Sequence, residues 1–360
     1  MIEENQYGLH ERITNICYPF ILIDKKFLYE VKDMKIGKVS EAVLKRSVFK
    51  QIRHRREEVI VRPNVGEDCA YVDTSNSDVM ILSTDPITGT ANEIGKLAVH
   101  ITANDIASSG GEMIGIMVTL LLPENTSENV LKEIMRDLEE NCKELNIEIM
   151  GGHTEVTPAV NQPILSITGV GKLSKEDMVT TSGLEVGQDV VLTKWAGLEG
   201  TAILAKDQEE KLLTRYTKDF IGGAQKWMNH ISVVKEAKIG KQYGVTSMHD
   251  VTEGGIFGAL WEIGSASGVG LEIDLQSIPL KQETVEICEF FDLNPYLLIS
   301  SGCMLMGTHR GHDLVKALEK ENIPAAVIGK VVEGHERIVY NEDERRFLEP
   351  PKSDELYKVK

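Results

Sequence analysis

From Val79 to Val332 the sequence returns repeatedly to one pattern: a short apolar run, a polar or acidic residue at its end, then a stretch with helical spacing. Short apolar runs bounded by turn residues read as buried strands, and their alternation with helical periods predicts mixed α/β layers. "VMILSTD" (Val79 to Asp85) predicts a strand that ends in a polar site. "EIGKLAVHITANDIASSGG" (Glu93 to Gly111) sets Ile94, Leu97, Ala98, Ile101 and Ile106 at helical spacing before a double-glycine stop. "IMVTLLLP" (Ile116 to Pro123) predicts the next strand. An amphipathic helix follows from Ser127, with Val130, Leu131, Ile134, Leu138, Cys142 and Leu145 on one face. Further strands are expected at "IEIMGG" and "PILSITGVGK".

A polar stretch with two glycines, "LSKEDMVTTSGLEVGQD" (Leu173 to Asp189), then breaks the pattern. Beyond it, "VVLTK", "GVTSMHD", "VGLEID", "LLISSGCMLMG" and "AAVIGKV" predict strands alternating with helices. The result is two α/β halves of comparable size, as a chain of 360 residues suggests. Met34 opens "MKIGKVSEAVLKRSVF", which reads as the start of a domain. We therefore expect an N-terminal extension (1–33), a first domain (34–173), a second domain (174–340) and a C-terminal tail (341–360).

Aspartate and glutamate outnumber lysine and arginine, 56 to 39, and the net charge of −17 disfavours nucleic acid and anionic membranes as partners. Five scattered cysteines with no CxxC pair point to a reducing compartment and no zinc cage. The early apolar stretch Ile16 to Ile23 is too short to span a bilayer and follows acidic residues, so a cytoplasmic location is expected.

Acidic or amide residues recur where apolar segments end: Asp68 after Gly66 and Glu67, Asp85 after "ILST", Asn104 and Asp105 in a helix, Asp250 after "GVTSMH". Strand ends are rigid places from which to aim ligands, and hard divalent cations want oxygen donors. Taken singly, each acid serves equally as a turn residue or helix cap. The signal is their joint occurrence. In "MGGHTEVTP" (Met150 to Pro158) two glycines close a strand and let backbone approach a ligand, with His153, Thr154 and Glu155 beside them; a tight polar turn accounts for it as well. In "HDVTEGGIFGALWEIG" Thr252 reads as an N-cap, and Gly254–Gly255 open a helix whose free N–H groups suit a phosphate or close packing. "KWAGLEGTAILA" repeats that theme, with Lys194 able to meet an anion. No P-loop, GxGxxG after a strand, GxSxG elbow or HExxH is present.

The order "VGEDCA", "STD", "NDIASSGG", "GGHTEV", "DVTEGG", "SSGCMLM" resembles the aminoimidazole ribonucleotide (AIR) synthase superfamily, with its thiamine-monophosphate kinase, selenophosphate synthetase and HypE branches. The resemblance spans about Met34 to Val332 and is strongest to the HypE branch. It implies a PurM-like two-domain α/β (α+β) fold. The N-terminal sheet would pair with its mate into a barrel in a homodimer, and the C-terminal domain would be an α/β sandwich. It also implies ATP and magnesium (Mg2+) as cofactors. Asp68, Asp85, Asp105 and Asp250 would hold the metal, and Asp85, Asp105 and Asp250 would serve catalysis. Gly66, Asn104, Gly151, Gly152, His153, Thr154, Gly254 and Gly255 would line the nucleotide. The activity implied is ATP-driven phosphorylation of an amide- or carbamoyl-type oxygen on a small-molecule or protein-borne acceptor, with a possible maturation partner protein.

The sequence departs from the pattern twice. His153 stands where the HypE branch and the thiamine-phosphate kinases have aspartate, which removes one anionic ligand that Glu155 would have to replace. No cysteine follows Cys303, whereas the HypE branch ends in a cysteine that accepts the carbamoyl group. Two other readings therefore stand beside the HypE-like enzyme: a small-molecule kinase like thiamine-monophosphate kinase, and a nucleotide-binding scaffold with little turnover.

Overall fold

The computed structural model describes residues 41–51, 57–61, 63–74, 77–88, 94–350 and 353–359. The expected extension 1–33 lies outside the described residues, which all belong to one unit, 36–360.

The first half is built on six strands: β1 (Val59–Val61), β2 (Ala70–Asp73), β3 (Asp78–Thr88), β4 (Glu112–Leu122), β5 (Glu148–Val156) and β6 (Ile164–Ser174). They lie in the order β1-β2-β3-β6-β4-β5. Only the β4–β5 pair is parallel. Successive side chains of a strand point to opposite faces, so an alternating sequence buries one face. Val79, Ile81 and Ser83 of β3 face inward, with Leu165 and Ile167 of β6. A bulge between Met113 and Gly115 in β4 lets Met113, Ile116, Val118, Leu120 and Leu122 all reach that side. Helices Ile94–Ser108 and Glu128–Glu144 cover it. Ser127 caps the second helix by accepting from Val130 N–H. The outward face carries Met80, Ile114, Met117 and Met150, each 40–45% exposed.

The second half holds β7 (Asp189–Thr193), β8 (Ser247–Val251), β9 (Gly270–Asp274), β10 (Cys303–Thr308), β11 (Ala325–Val332), β12 (Arg337–Asn341) and β13 (Glu344–Phe347). Their order is β13-β12-β9-β11-β7-β10-β8. Its central strands are buried on both faces. Val190, Leu192 and Leu305 pack with helix Gly255–Ser267. Val191, Met304 and Met306 pack on the other side with helices Val234–Gln242 and Gly311–Lys320. This is why "VVL" and "CMLM" read as unbroken apolar runs. β8 is the end strand of this sheet, and it lies along helix Ile94–Ser108 of the first half.

Three strands differ from their expected extents. β3 does not end at Asp85 but continues through Pro86 to Thr88, in register with β6. The strand expected from Leu297 begins only at Cys303, after a turn that holds Gly302 at φ +100°. β5 does not close at Gly151–Gly152 but passes through them to Val156, paired to β4. There the strands approach so closely that a methyl group on Gly152 would overlap the Val118 carbonyl oxygen.

β13 joins the second sheet, and residues 353–359 dock on the second half. Buried Asp354 accepts from Gly254 N–H at 2.7 Å and from Leu356 N–H at 2.8 Å.

Candidate functional site

Four acids distant in sequence converge between the two sheets. Asp68 enters from the loop before β2, Asp85 from β3, Asp105 from helix Ile94–Ser108 and Asp250 from β8. Ser83, two residues before Asp85 and so on the same face of β3, bridges two of them. Its hydroxyl donates to Asp105 Oδ2 in a short bond and lies 3.4 Å from Asp85 Oδ2. On the other side His249 Nδ1 meets Asp68 Oδ2 at 2.9 Å, while His249 Nε2 meets Glu262 Oε2 at 3.1 Å. Asp68, His249 and Asp250 each offer a ligand atom, all within 4.8 Å of one another.

Burial and mutual repulsion dominate the electrostatics of the cluster. Burial raises the Asp105 carboxyl well above the ordinary carboxylate range, and the charges of Asp250, Asp85 and Asp68 push it further. Burial also raises Asp250, helped by Asp68 and opposed by His249. Glu67 is raised by burial, against a hydrogen bond from Ser182. For His249 burial alone would favour the neutral ring. The Asp68 and Glu262 carboxylates overcome it and hold the imidazolium well above its usual range. Asp250 Oδ2 is buried with no hydrogen-bond partner. An orphaned carboxylate oxygen among three other carboxylates is the donor set a hard divalent cation takes. The residues therefore fit magnesium.

Several other expected residues are placed differently. Asn104 does not point at a ligand: its amide donates to Ile231 O at 2.9 Å and accepts from Val233 N–H at 2.8 Å, tethering its helix to the second half. Gly66 adopts φ +78°, and a methyl group there would lie 3.1 Å from the Glu262 carbonyl oxygen, so this glycine serves a close backbone approach. Gly151, Gly152, His153 and Thr154 form a stretch of open edge strand rather than a turn. His153 Nε2 and Glu155 Oε2 lie 3.2 Å apart in solvent. Asp85, Ile167, Val118 and Gly152 form one row across four strands, which sets the glycines three strand spacings, about 14 Å, from Asp85.

The helix start at Gly254–Gly255 is not open either. Thr252 does not cap it; Gly254 does, in the left-handed region. The Gly254 N–H is taken by Asp354, and the Gly255 N–H by the Thr252 carbonyl at 3.1 Å. Lys194, suggested above as an anion partner, is buried and committed. It pairs with Glu236 at 2.5 Å and donates to Ser232 O and Gly302 O.

Ser83, His249 and Glu262 belong to the cluster and were not singled out from sequence. Ser83 carried a usable signal, its period-two spacing from Asp85. His249 adjoins Asp250 but points to the opposite face of β8. Glu262 carried none.

Family comparison agrees with this fold. The model described as AIR synthase related protein, N-terminal domain, matches residues 66–173, and that of the C-terminal domain matches 185–341. The chain belongs to the AIR synthase-related family. The first match spans β2 to β6 and the second β7 to β12, and the mixed α/β fold is the PurM-like one. A protein of Methanocaldococcus jannaschii named for hydrogenase expression/formation is 25% identical over 337 residues, covering 90% of this chain and 97% of that one. Carbamoyl dehydratase HypE of Cupriavidus necator is 26% identical over 272 residues, 71% of this chain and 73% of its own. A selenide, water dikinase of Shewanella is 26% identical over 281 residues, 77% and 74%. Among solved structures, HypE in its complex with HypF superposes with a TM-score of 0.67 at 22% identity, covering 79% of this chain and 93% of that one. HypE in complex with ATP gives 0.65 at 18%, covering 90% and 98%.

Proposed function

We propose that the chain is a HypE-like, ATP-using enzyme that phosphorylates an oxygen of an amide- or carbamoyl-type acceptor and so activates it for loss, in the maturation of a hydrogenase or another metalloenzyme. The observation that carries this reading is the convergence of Asp68, Asp85, Asp105 and Asp250, with Asp250 Oδ2 left unpartnered. These four carboxylates would hold the metal. Bound there, magnesium supplies neutralisation of the phosphoryl oxygens, where positioning and electrostatics dominate the barrier. Ser83 keeps Asp105 and Asp85 in register. Of the polar residues expected at the nucleotide, His153 and Thr154 are exposed on β5 and remain in the reading. Asn104, Gly254 and Gly255 are committed elsewhere and do not.

The named relatives support an ATP-using enzyme of this family and a maturation partner. The described cysteines are all buried, so the acceptor is taken to be a small molecule or a group on another protein. No helix among the described residues is long and apolar enough to cross a membrane, and the reading places the enzyme in the cytoplasm. A homodimer through the outward face of the first sheet fits its four half-exposed apolar side chains.

The test is calorimetry of magnesium-dependent ATP binding. Asp68→Asn and Asp85→Asn should each weaken it while the protein stays folded. Unchanged affinity in both variants refutes the assignment. Product analysis then separates the chemistries. ADP with free phosphate supports activation, whereas ADP with a phosphorylated metabolite favours the small-molecule kinase.

A further inference from the structure

We propose that His249 is a positioning residue: held by Glu262, it fixes Asp68 as a metal ligand, so the second half of the chain sets the orientation of a carboxylate that the first half supplies. The proposal rests on the reading of the acid cluster as a magnesium site. It adds a residue pair to which that reading gives no role.

Both ring nitrogens of His249 face carboxylate oxygens, Asp68 at 2.9 Å and Glu262 at 3.1 Å. Each ring nitrogen is thus engaged by a carboxylate oxygen of the protein, and neither is open toward a metal. His249 is therefore unsuited as a ligand in this arrangement, despite its place within 4.8 Å of Asp68 and Asp250. It occupies the layer behind the ligands, where a hydrogen bond orients the group that binds the ion.

The arrangement has directional sense. His249 is 2% exposed and Glu262 6%, so the ring is enclosed. Asp68, by contrast, is 22% exposed at its side chain and is repelled by Asp105 and Asp250. Unheld, its carboxylate would turn to water. The backbone of the same loop is fixed by the same residue: Gly66, at φ +78°, packs against the Glu262 carbonyl. Glu262 thus locates the loop through its main chain and the Asp68 carboxylate through its side chain and His249.

Two substitutions separate positioning from mere packing. Asparagine reproduces a donor at the Nδ1 position and glutamine one at the Nε2 position. His249→Asn should keep magnesium affinity within about threefold of the parent. His249→Gln should lose about 10–100-fold, the usual cost of a lost outer-layer partner, with little change in affinity for metal-free ATP. Glu262→Ala, which frees the ring and leaves Asp68 and His249 in place, should also weaken magnesium binding. The measurement is magnesium titration of the full-length chain with ATP by calorimetry, alongside thermal melts. Equal magnesium affinity in His249→Asn, His249→Gln and the parent overturns the proposal. So does a parallel loss in both His249 variants that tracks their melting temperatures. Asp68→Asn serves as the reference. If it weakens magnesium binding and His249→Gln does not, only the positioning role fails; if it has no effect, the site reading fails with it.

Discussion

Glu199, in the first turn of helix Leu198–Asp207, is buried with one carboxylate oxygen, Oε2, unpartnered. Burial pushes its carboxyl up from 4.5 to about 7, and Asp354 and Glu253 add to it. A carboxyl raised on folding keeps its proton in the native state over a range where the unfolded chain has lost it. Native stability therefore falls as pH climbs from 4.5 through 7. At about 1.36 kcal/mol per pH unit, the full loss is about 3 kcal/mol, reached above pH 7. Glu199→Gln keeps the shape but has no charge to bury. The variant should match the parent at pH 4.5 and exceed it by about 3 kcal/mol at pH 8. Urea and thermal melts at both pH values, without metal or nucleotide, measure the difference. A gap independent of pH, or a variant less stable than the parent at pH 8, would refute the argument and mean that the Glu199 charge is compensated in the folded protein.

Three further outcomes come from the backbone and the surface. Gly152→Ala should lower stability by at least about 1 kcal/mol in urea, because its φ of +153° and the Val118 carbonyl both exclude a side chain. Gly222→Ala, which meets nothing within 4 Å in helix Lys218–Gln225, should instead be neutral or stabilising. Light scattering at micromolar concentration should give the mass of two chains, and Met117→Glu should reduce it to one; a monomeric parent removes the dimer from the proposal.

The four acids were legible because each ends or interrupts a segment whose period is plain. Helix Ile94–Ser108 and the buried runs "VVL" and "CMLM" are stated by spacing alone. What spacing does not carry is partnership. His249 and Asp68 are 181 residues apart, and nothing near either says that they meet. Asn104 looked like a ligand beside Asp105, yet neighbours on a helix point about 100° apart. One reaches the acid cluster and the other a backbone strap at Ile231–Val233. The glycine pairs misled in a similar way. Gly151–Gly152 and Gly254–Gly255 have the composition of ligand loops, but close backbone contacts, at Val118 for Gly152 and at Tyr296 for Gly255, call for glycine whether or not a ligand binds.

Asp354 changes what the helix start at Gly254 can do. The donor there is engaged by a carboxylate tethered to the same chain, so an arriving phosphate meets both an occupied N–H and a negative charge. A tethered competitor of this kind acts at an effective concentration on the order of millimolar. A free anion below that level leaves residues 353–359 docked. One that succeeds displaces Asp354 from that donor, while Leu356 and Val359 still pack on the core and Tyr357 donates to Glu253 at 2.8 Å. Asp354 and an incoming anion therefore compete for one donor, and protease sensitivity of residues 353–359 would report whether losing that bond loosens the segment.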